Sequence, residues 1–214
     1  MKMILFQGDS ITEAQRKTSD PFNMGAGYAV MAAGILGCEF PGRYDFLNRG
    51  VSGNKSNDVL ARTKEDIIDI RPDVMSLLIG VNDVWHEIDW GASVGREGFT
   101  RNVSEIVERT LTALPDCKIM LLEPFVFKEY ATVSTEKQPD RWQRFETEVR
   151  HRAELTGRIA EKYSLTFVPL WEKLQKLTEE TEVRHWSEDG VHLLPCGHLV
   201  VAKEWVKAFK TLGV

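Results

Sequence analysis

Four short blocks hold residue types that could do chemistry. Gly8-Asp9-Ser10 sets a hydroxyl directly after an apolar run. A serine there becomes a nucleophile if a base reaches it, and the backbone N–H groups that open the next segment can face an oxyanion. The same tripeptide is also ordinary helix-capping chemistry, and alone it favours that plainer role. Asp189-Gly190-Val191-His192 sets a carboxylate three residues before an imidazole. That spacing lets the carboxylate hold one ring nitrogen and leaves the other as a general base. With five histidines in the chain, one such pairing by chance is not rare. Gly80-Val81-Asn82-Asp83 ends an apolar run with an amide that can meet developing negative charge, or form an Asx-turn. Asn48-Arg49-Gly50-Val51-Ser52-Gly53-Asn54 offers the Gly53 N–H for the same purpose, or is a glycine-rich loop with Asn54 as a helix cap.

Something must bring these blocks together, and the hydrophobic pattern supplies it. Apolar runs at Lys2–Gln7, Tyr44–Arg49, Asp73–Ile79, Lys118–Glu123 and Leu165–Leu170 read as strands covered on both faces. Helical spacing recurs from Phe99 to Leu114 and from Trp142 to Tyr163; Gly25–Leu36, Asn57–Ile70 and Gly197–Leu212 are further helix candidates. The alternation predicts an α/β fold: a three-layer, doubly wound sandwich with a five-stranded parallel sheet in flavodoxin-like order. With no linker, repeat or low-complexity tract, residues 1–214 are expected to form a single domain. Asp83–Gly98 and Pro124–Asp140 read as long loops at the carboxyl edge, where such sheets place a ligand crevice.

Composition narrows the classes. The 214 residues carry a net charge of −5, a poor basis for non-specific nucleic-acid binding. Three dispersed cysteines form neither a disulfide framework nor a CxxC zinc pattern. The longest apolar stretch, Tyr28 to Cys38, is too short for a membrane span, which needs about 20 residues. The N-terminal apolar run is shorter than a signal-peptide core, so a cytoplasmic location is expected.

In the predicted topology the strand ends and the late Asp-x-x-His loop share one edge. They supply a nucleophile, a base with its orienter and oxyanion donors, which is the set acyl transfer needs. The set resembles the SGNH/GDSL hydrolase family, with Gly-Asp-Ser at 8–10, Gly53 in its Asn-Arg-Gly-Val-Ser-Gly-Asn context, Gly-x-Asn-Asp at 80–83 and Asp-x-x-His at 189–192. The resemblance implies Ser10 as nucleophile, His192 as base and Asp189 as its partner. It implies an oxyanion hole from the Ser10 and Gly53 amides and the Asn82 side chain, with no metal or cofactor. Within the family the likeness is to carbohydrate acetyl esterases of the acetylxylan-esterase type, through Gly-Val-Asn-Asp-Val-Trp at 80–85 and Gly27-Tyr28. Leu193 departs from the Pro that many members carry after the His, whereas Gly197-His198 keeps its usual offset.

The resulting expectation is a serine esterase acting on short acyl, foremost acetyl, esters of small-molecule or oligosaccharide alcohols. Its alternative is a lysophospholipase or thioesterase with a long acyl pocket. Asp9 and Trp85 are the substrate-contact candidates, with Trp85 either capping the acyl pocket or packing in the core. Activity is expected to fall below about pH 6 as His192 protonates. Exposed aromatics in Phe125–Tyr130 could wall a substrate site or support a homo-oligomer. Competing motifs are weaker. Gly91-Ala92-Ser93-Val94-Gly95 matches a nucleophile elbow but follows a polar segment, read as a loop, where that elbow needs a strand. Asp9, Asp83 and Glu123 at strand ends could suggest a Mg²⁺ site, but no P-loop accompanies them. His151 reads as solvated on a charged face, and His86 and His185 as loop residues.

Overall fold

The computed structural model describes residues 1–92 and 94–214. Five parallel strands form the sheet in the order β2-β1-β3-β4-β5: β1 (Lys2–Gly8), β2 (Tyr44–Asn48), β3 (Val74–Leu78), β4 (Lys118–Leu122) and β5 (Thr166–Val168). This is the flavodoxin-like order expected from the pattern. The register stands Phe6 beside Asn48 and Gly8 beside Leu78, so the carboxyl ends of β1, β2 and β3 open onto one edge.

Alternate strand residues feed two cores. Ile4 and Phe6 pack on one face with Tyr28, Phe145 and Trp205; Leu5, Met75 and Leu77 pack on the other with Val59, Phe99 and Val103. The helices that cover these faces are α2 (Tyr28–Glu39), α3 (Ser56–Ala61), α5 (Gly95–Ala113), α6 (Arg141–Lys162) and α8 (Pro195–Lys210), with the short α1 (Ser10–Glu13) directly after β1. Trp205 is fully buried, its ring 4.8 Å from Phe6 and 5.1 Å from Phe209. Truncating it to Ala removes a large core ring and costs about 3–5 kcal/mol.

One of the two expected loops differs from the structure, while Pro124–Asp140 is irregular as expected. Asp83–Gly98 is mostly helical: α4 (Val81–Trp90) starts at the end of β3, and α5 begins at Gly95. Val84 and Ile88 lie one turn apart and are both buried, which gives α4 an inner face despite its polar ends. His86 therefore belongs to a helix, its ring 4.7 Å from Trp90. A helix also fills Trp171–Glu180 (α7), anchored by buried Trp171 and Leu174. In the Phe125–Tyr130 segment Phe125 and Phe127 are core residues and Tyr130 is exposed, so the expected exposed aromatic cluster reduces to one ring. Arg152, beside His151, is fully buried and pairs with Glu148 and Glu87; the solvated charged face expected there does not include it.

Candidate active site

Ser10 opens α1. Gly8 sets it there, because a Cβ at Gly8 would lie 2.3 Å from the Leu78 carbonyl oxygen and 2.4 Å from Thr12 Oγ1. Any side chain would force β1 away from β3 just where the chain turns. Asp9 caps α1, its Oδ1 accepting from the Ile11 N–H at 3.0 Å. The Ser10 N–H stands in the first turn of that helix with no acceptor among the described residues, as the geometry of helix starts dictates.

His192 arrives from the other end of the chain. Its Nε2 lies 3.0 Å from Ser10 Oγ, and its Nδ1 lies 2.7 Å from Asp189 Oδ2. Asp189 Oδ1 accepts from the Val191 and His192 amides at 2.9 and 2.8 Å. The carboxylate thus closes the turn that carries the imidazole and orients its ring. Gly190 makes the turn with φ +103°, and a Cβ there would meet the Phe127 carbonyl oxygen at 2.7 Å. The Asp189 bond holds the imidazole above its ordinary value of 6.5, against the downward push of partial burial. Protonation of this base therefore sets in at a higher pH than for a free imidazole. Partial burial pushes the Asp189 carboxyl up, but the bonds from the His192 ring and from the His192 and Val191 amides outweigh it, so it lies below the usual range.

The donors expected to face an oxyanion lie in the other two blocks. The Gly53 N–H has no acceptor among the described residues, and Gly53 adopts φ +76°, a left-handed turn that favours glycine. Asn82, buried in the first turn of α4, donates through Nδ2 to the Asn54 carbonyl at 3.2 Å. That bond ties it to the residue after Gly53 and leaves its second N–H. The Val51 N–H bonds the Gly8 carbonyl at 3.1 Å, tying the Gly53 loop to the turn that carries Ser10.

Arg62, on no sequence-based shortlist, braces this arrangement. Its guanidinium donates to Asn54 Oδ1 (2.8 Å), the Arg49 carbonyl (2.8 Å), Asp66 Oδ2 (2.6 Å), Gln7 Oε1 (2.7 Å) and the Gly8 carbonyl (3.2 Å). One side chain therefore joins the end of β1 to the Gly53 loop. No local spacing signals this, since Gln7 and Gly8 lie more than fifty residues away.

The three strand-end carboxylates are structural. Asp9 caps α1, Asp83 accepts from the Ser56 N–H and Oγ at the start of α3, and Glu123 accepts from the Leu170 and Trp171 amides at the start of α7. Asp9, the expected substrate contact, is fully buried, with Oδ1 committed to the cap. Burial raises its pKa to about 7 and that of Asp83 to about 6. Trp85 is half-buried and packs against the core, with one edge toward the His192 ring. Its ring lies 5.9 Å from Phe145 in the core and 6.1 Å from the His192 ring, while Nε1 donates to Asp89 at 2.8 Å.

A cavity of about 480 Å³ opens beside Ser10 and His192. Polar groups on its wall are Glu13, Gln15, Ser52, Glu188 and His198. A larger groove, of about 710 Å³, runs along α5 and α6 and holds none of the candidate residues. Its Arg96 pairs with Glu148 and its Lys162 with Glu108, so its size reflects open surface between self-satisfied charges. The elbow-like motif fails at its flank, because α4 precedes it where a strand is needed; Ser93 itself lies outside the described residues.

The profile of the GDSL-like lipase/acylhydrolase family matches residues 6–200. The chain belongs to that family. An acetylxylan esterase of Geobacillus stearothermophilus is 26% identical over 222 aligned positions, covering 96% of each chain. The solved structure of that organism's Axe2, an acetylxylan esterase, superposes with a TM-score of 0.81 at 26% identity over 97% of this chain and 93% of its own. A candidate GDSL-like lipase of Parabacteroides merdae gives 0.89 at 30% identity over 98% and 95%. Two solved forms of Axe2 described as catalytic mutants replace a serine and an aspartate by alanine. Membership makes the chain a carboxylic-ester hydrolase. No helix among the described residues is long and apolar enough to cross a membrane.

Proposed function

We propose that the protein is a serine esterase that removes short acyl groups, acetyl foremost, from carbohydrate alcohols through an acyl-enzyme on Ser10. The observation that carries this reading is the continuous hydrogen-bonded series Ser10 Oγ, His192 and Asp189 at the mouth of a polar cavity. His192 Nε2 takes the hydroxyl proton as Ser10 Oγ attacks the ester carbonyl. The oxyanion is met by the Ser10 and Gly53 amides and the Asn82 amide. The tetrahedral intermediate collapses, His192 protonates the departing alcohol oxygen, and the acyl group stays on Ser10. Water, deprotonated by the same imidazole, then attacks the acyl-enzyme and releases the acid.

Since His192 delivers the proton to the leaving oxygen, the alcohol belongs on the His192 side. There the wall offers two carboxylates, an amide, a hydroxyl and an imidazole, groups that recognise hydroxyls. Glu13 and Glu188 also repel an alcohol carrying phosphate, which weighs against the lysophospholipase and coenzyme-thioester alternatives. The acetylxylan esterase relatives support the same substrate class. The test is a matched panel of acetylated sugars and long-chain esters, run with Ser10→Ala. The proposal expects the acetylated sugars to turn over fastest and Ser10→Ala to abolish all turnover. Faster long-chain hydrolysis would contradict the substrate, and an active Ser10→Ala would contradict the mechanism.

A further inference from the structure

The cavity beside Ser10 contains a nearly buried imidazole donor that no bond among the described residues uses. His198 sits in the first turn of α8, just beyond the His192 loop. Its Nδ1 accepts from the Tyr28 N–H at 3.1 Å, at the start of α2. An acceptor at Nδ1 fixes the other tautomer, so the proton resides on Nε2. Nε2 has no acceptor among the described residues, and it is not one of the enclosed unpaired atoms, so it opens on the cavity that His198 lines. His198 as a whole is only 7% exposed. Gly27 makes room for it: a Cβ at Gly27 would lie 2.8 Å from His198 Cε1.

We infer that His198 is a specificity-determining residue whose Nε2–H donates to a hydroxyl or ring oxygen of the leaving alcohol, selecting neutral polyols over alcohols that lack an acceptor there. This rests on the esterase reading above and assigns a side chain to its alcohol site. The physical reason is the cost of an idle donor. A nearly buried N–H that meets no acceptor in the complex loses its water without replacement, so an alcohol that supplies an oxygen is favoured over one that does not. Burial, then the nearby His192, pushes the His198 pKa down to about 4. It therefore stays a neutral donor while His192 becomes an imidazolium during turnover. Glu13 and Glu188 share the cavity and can accept the proton of the same or a neighbouring hydroxyl.

Two substitutions separate recognition from structural support. In His198→Asn the amide oxygen takes the place of Nδ1 and keeps the Tyr28 bond, but the donor no longer reaches the cavity. In His198→Gln the amide NH₂ reaches the Nε2 position, but the Tyr28 bond is lost. The measurements are kcat and KM on an acetylated methyl xyloside and on phenyl acetate, whose leaving group offers no ring oxygen or second hydroxyl. The inference expects His198→Asn to lose about tenfold in kcat/KM on the sugar ester, mainly through KM, and to stay within about twofold on phenyl acetate. His198→Gln should keep the sugar preference to within about threefold. An unchanged preference in His198→Asn overturns the inference, as does an equal loss on both substrates that is worse in His198→Gln. A wild-type enzyme with no preference for the sugar ester overturns the carbohydrate-substrate reading along with it. Deoxy analogues of the sugar give an answer without any variant. Removal of one oxygen should cost the wild type about tenfold, and a loss below about twofold at every position would refute the assignment.

Discussion

The two sides of Ser10 are built differently. On the proposed oxyanion side the Ser10 and Gly53 N–H groups are left unpaired among the described residues, but the side chains around them are tied to other parts of the protein. Arg62 joins β1 to the Gly53 loop, Asn82 bonds Asn54, and Asp83 holds Ser56, whose Oγ accepts from Asn102. On the alcohol side the polar groups end in the cavity, and Gln15 and Glu188 are exposed. The first side is fixed before substrate arrives, as electrostatic stabilisation of a transition state requires. The second side keeps unspent donors and acceptors, which is what recognition requires. Damage to the fixed side should lower kcat for every ester alike, whereas changes on the open side should alter the ranking of esters.

The largest effect that sharpens this contrast comes from Asp189→Asn. Losing the carboxylate that orients His192 should cost about 10⁴-fold in kcat, equally for sugar and aryl esters. It should also lower the pH midpoint of the residual activity, because Asp189 is the main cause of the raised His192 pKa. The base works only when neutral, so wild-type kcat/KM should fall as pH drops through a midpoint above 6.5. A flat wild-type profile down to pH 5, or an unmoved midpoint in Asp189→Asn, would contradict that role.

Asn82→Ala should slow turnover by roughly 10²- to 10³-fold with KM little changed, because the amide meets charge only in the transition state. A loss within about twofold would remove Asn82 from the oxyanion site. Arg62→Lys keeps the charge but not the fork that spans five acceptors. Here kcat should fall by about tenfold on both ester classes, with KM held. Were only the sugar ester affected, Arg62 would belong to recognition and the contrast between the two sides would blur.

The smallest effect on activity, and the clearest on stability, is expected from Asp9→Asn. The Asp9 carboxyl is raised from 3.8 to about 7 by burial, so the folded protein holds a proton that the unfolded chain releases. Its contribution is therefore fully present below pH 3.8 and is lost as pH rises through about 7. An asparagine keeps an oxygen for the Ile11 N–H and cannot ionise. The Tm advantage of Asp9→Asn over wild type should grow from pH 5 to pH 8. An advantage that shrinks over that range would reverse the assigned sign.

The sheet and the four chemical blocks were readable in the sequence for the same reason. Each of the first three blocks ends an apolar run such as Met3–Phe6 or Val74–Leu78, and parallel strands carry such ends to one edge. Asp189 and His192 were readable because their bond spans three residues. α4 was missed because Asn82-Asp83 reads as a turn, while the burial of Val84 and Ile88 depends on neighbours from α6 that local spacing does not reveal. Arg62, Arg152 and the cavity-facing nitrogen of His198 were hidden for one reason. Their partners or surroundings come from distant parts of the chain, and a charged or polar side chain in a helix ordinarily faces water.

The central claim is that Ser10 carries the acyl group, and covalent capture tests it most directly. The enzyme, mixed rapidly with p-nitrophenyl acetate at a pH below the His192 midpoint to slow deacylation, should gain one acetyl group by intact mass. Peptide mapping should place that group on Ser10, and Ser10→Ala should gain none. An acetyl group that maps instead to Ser93, or that persists in an active Ser10→Ala enzyme, would contradict the account.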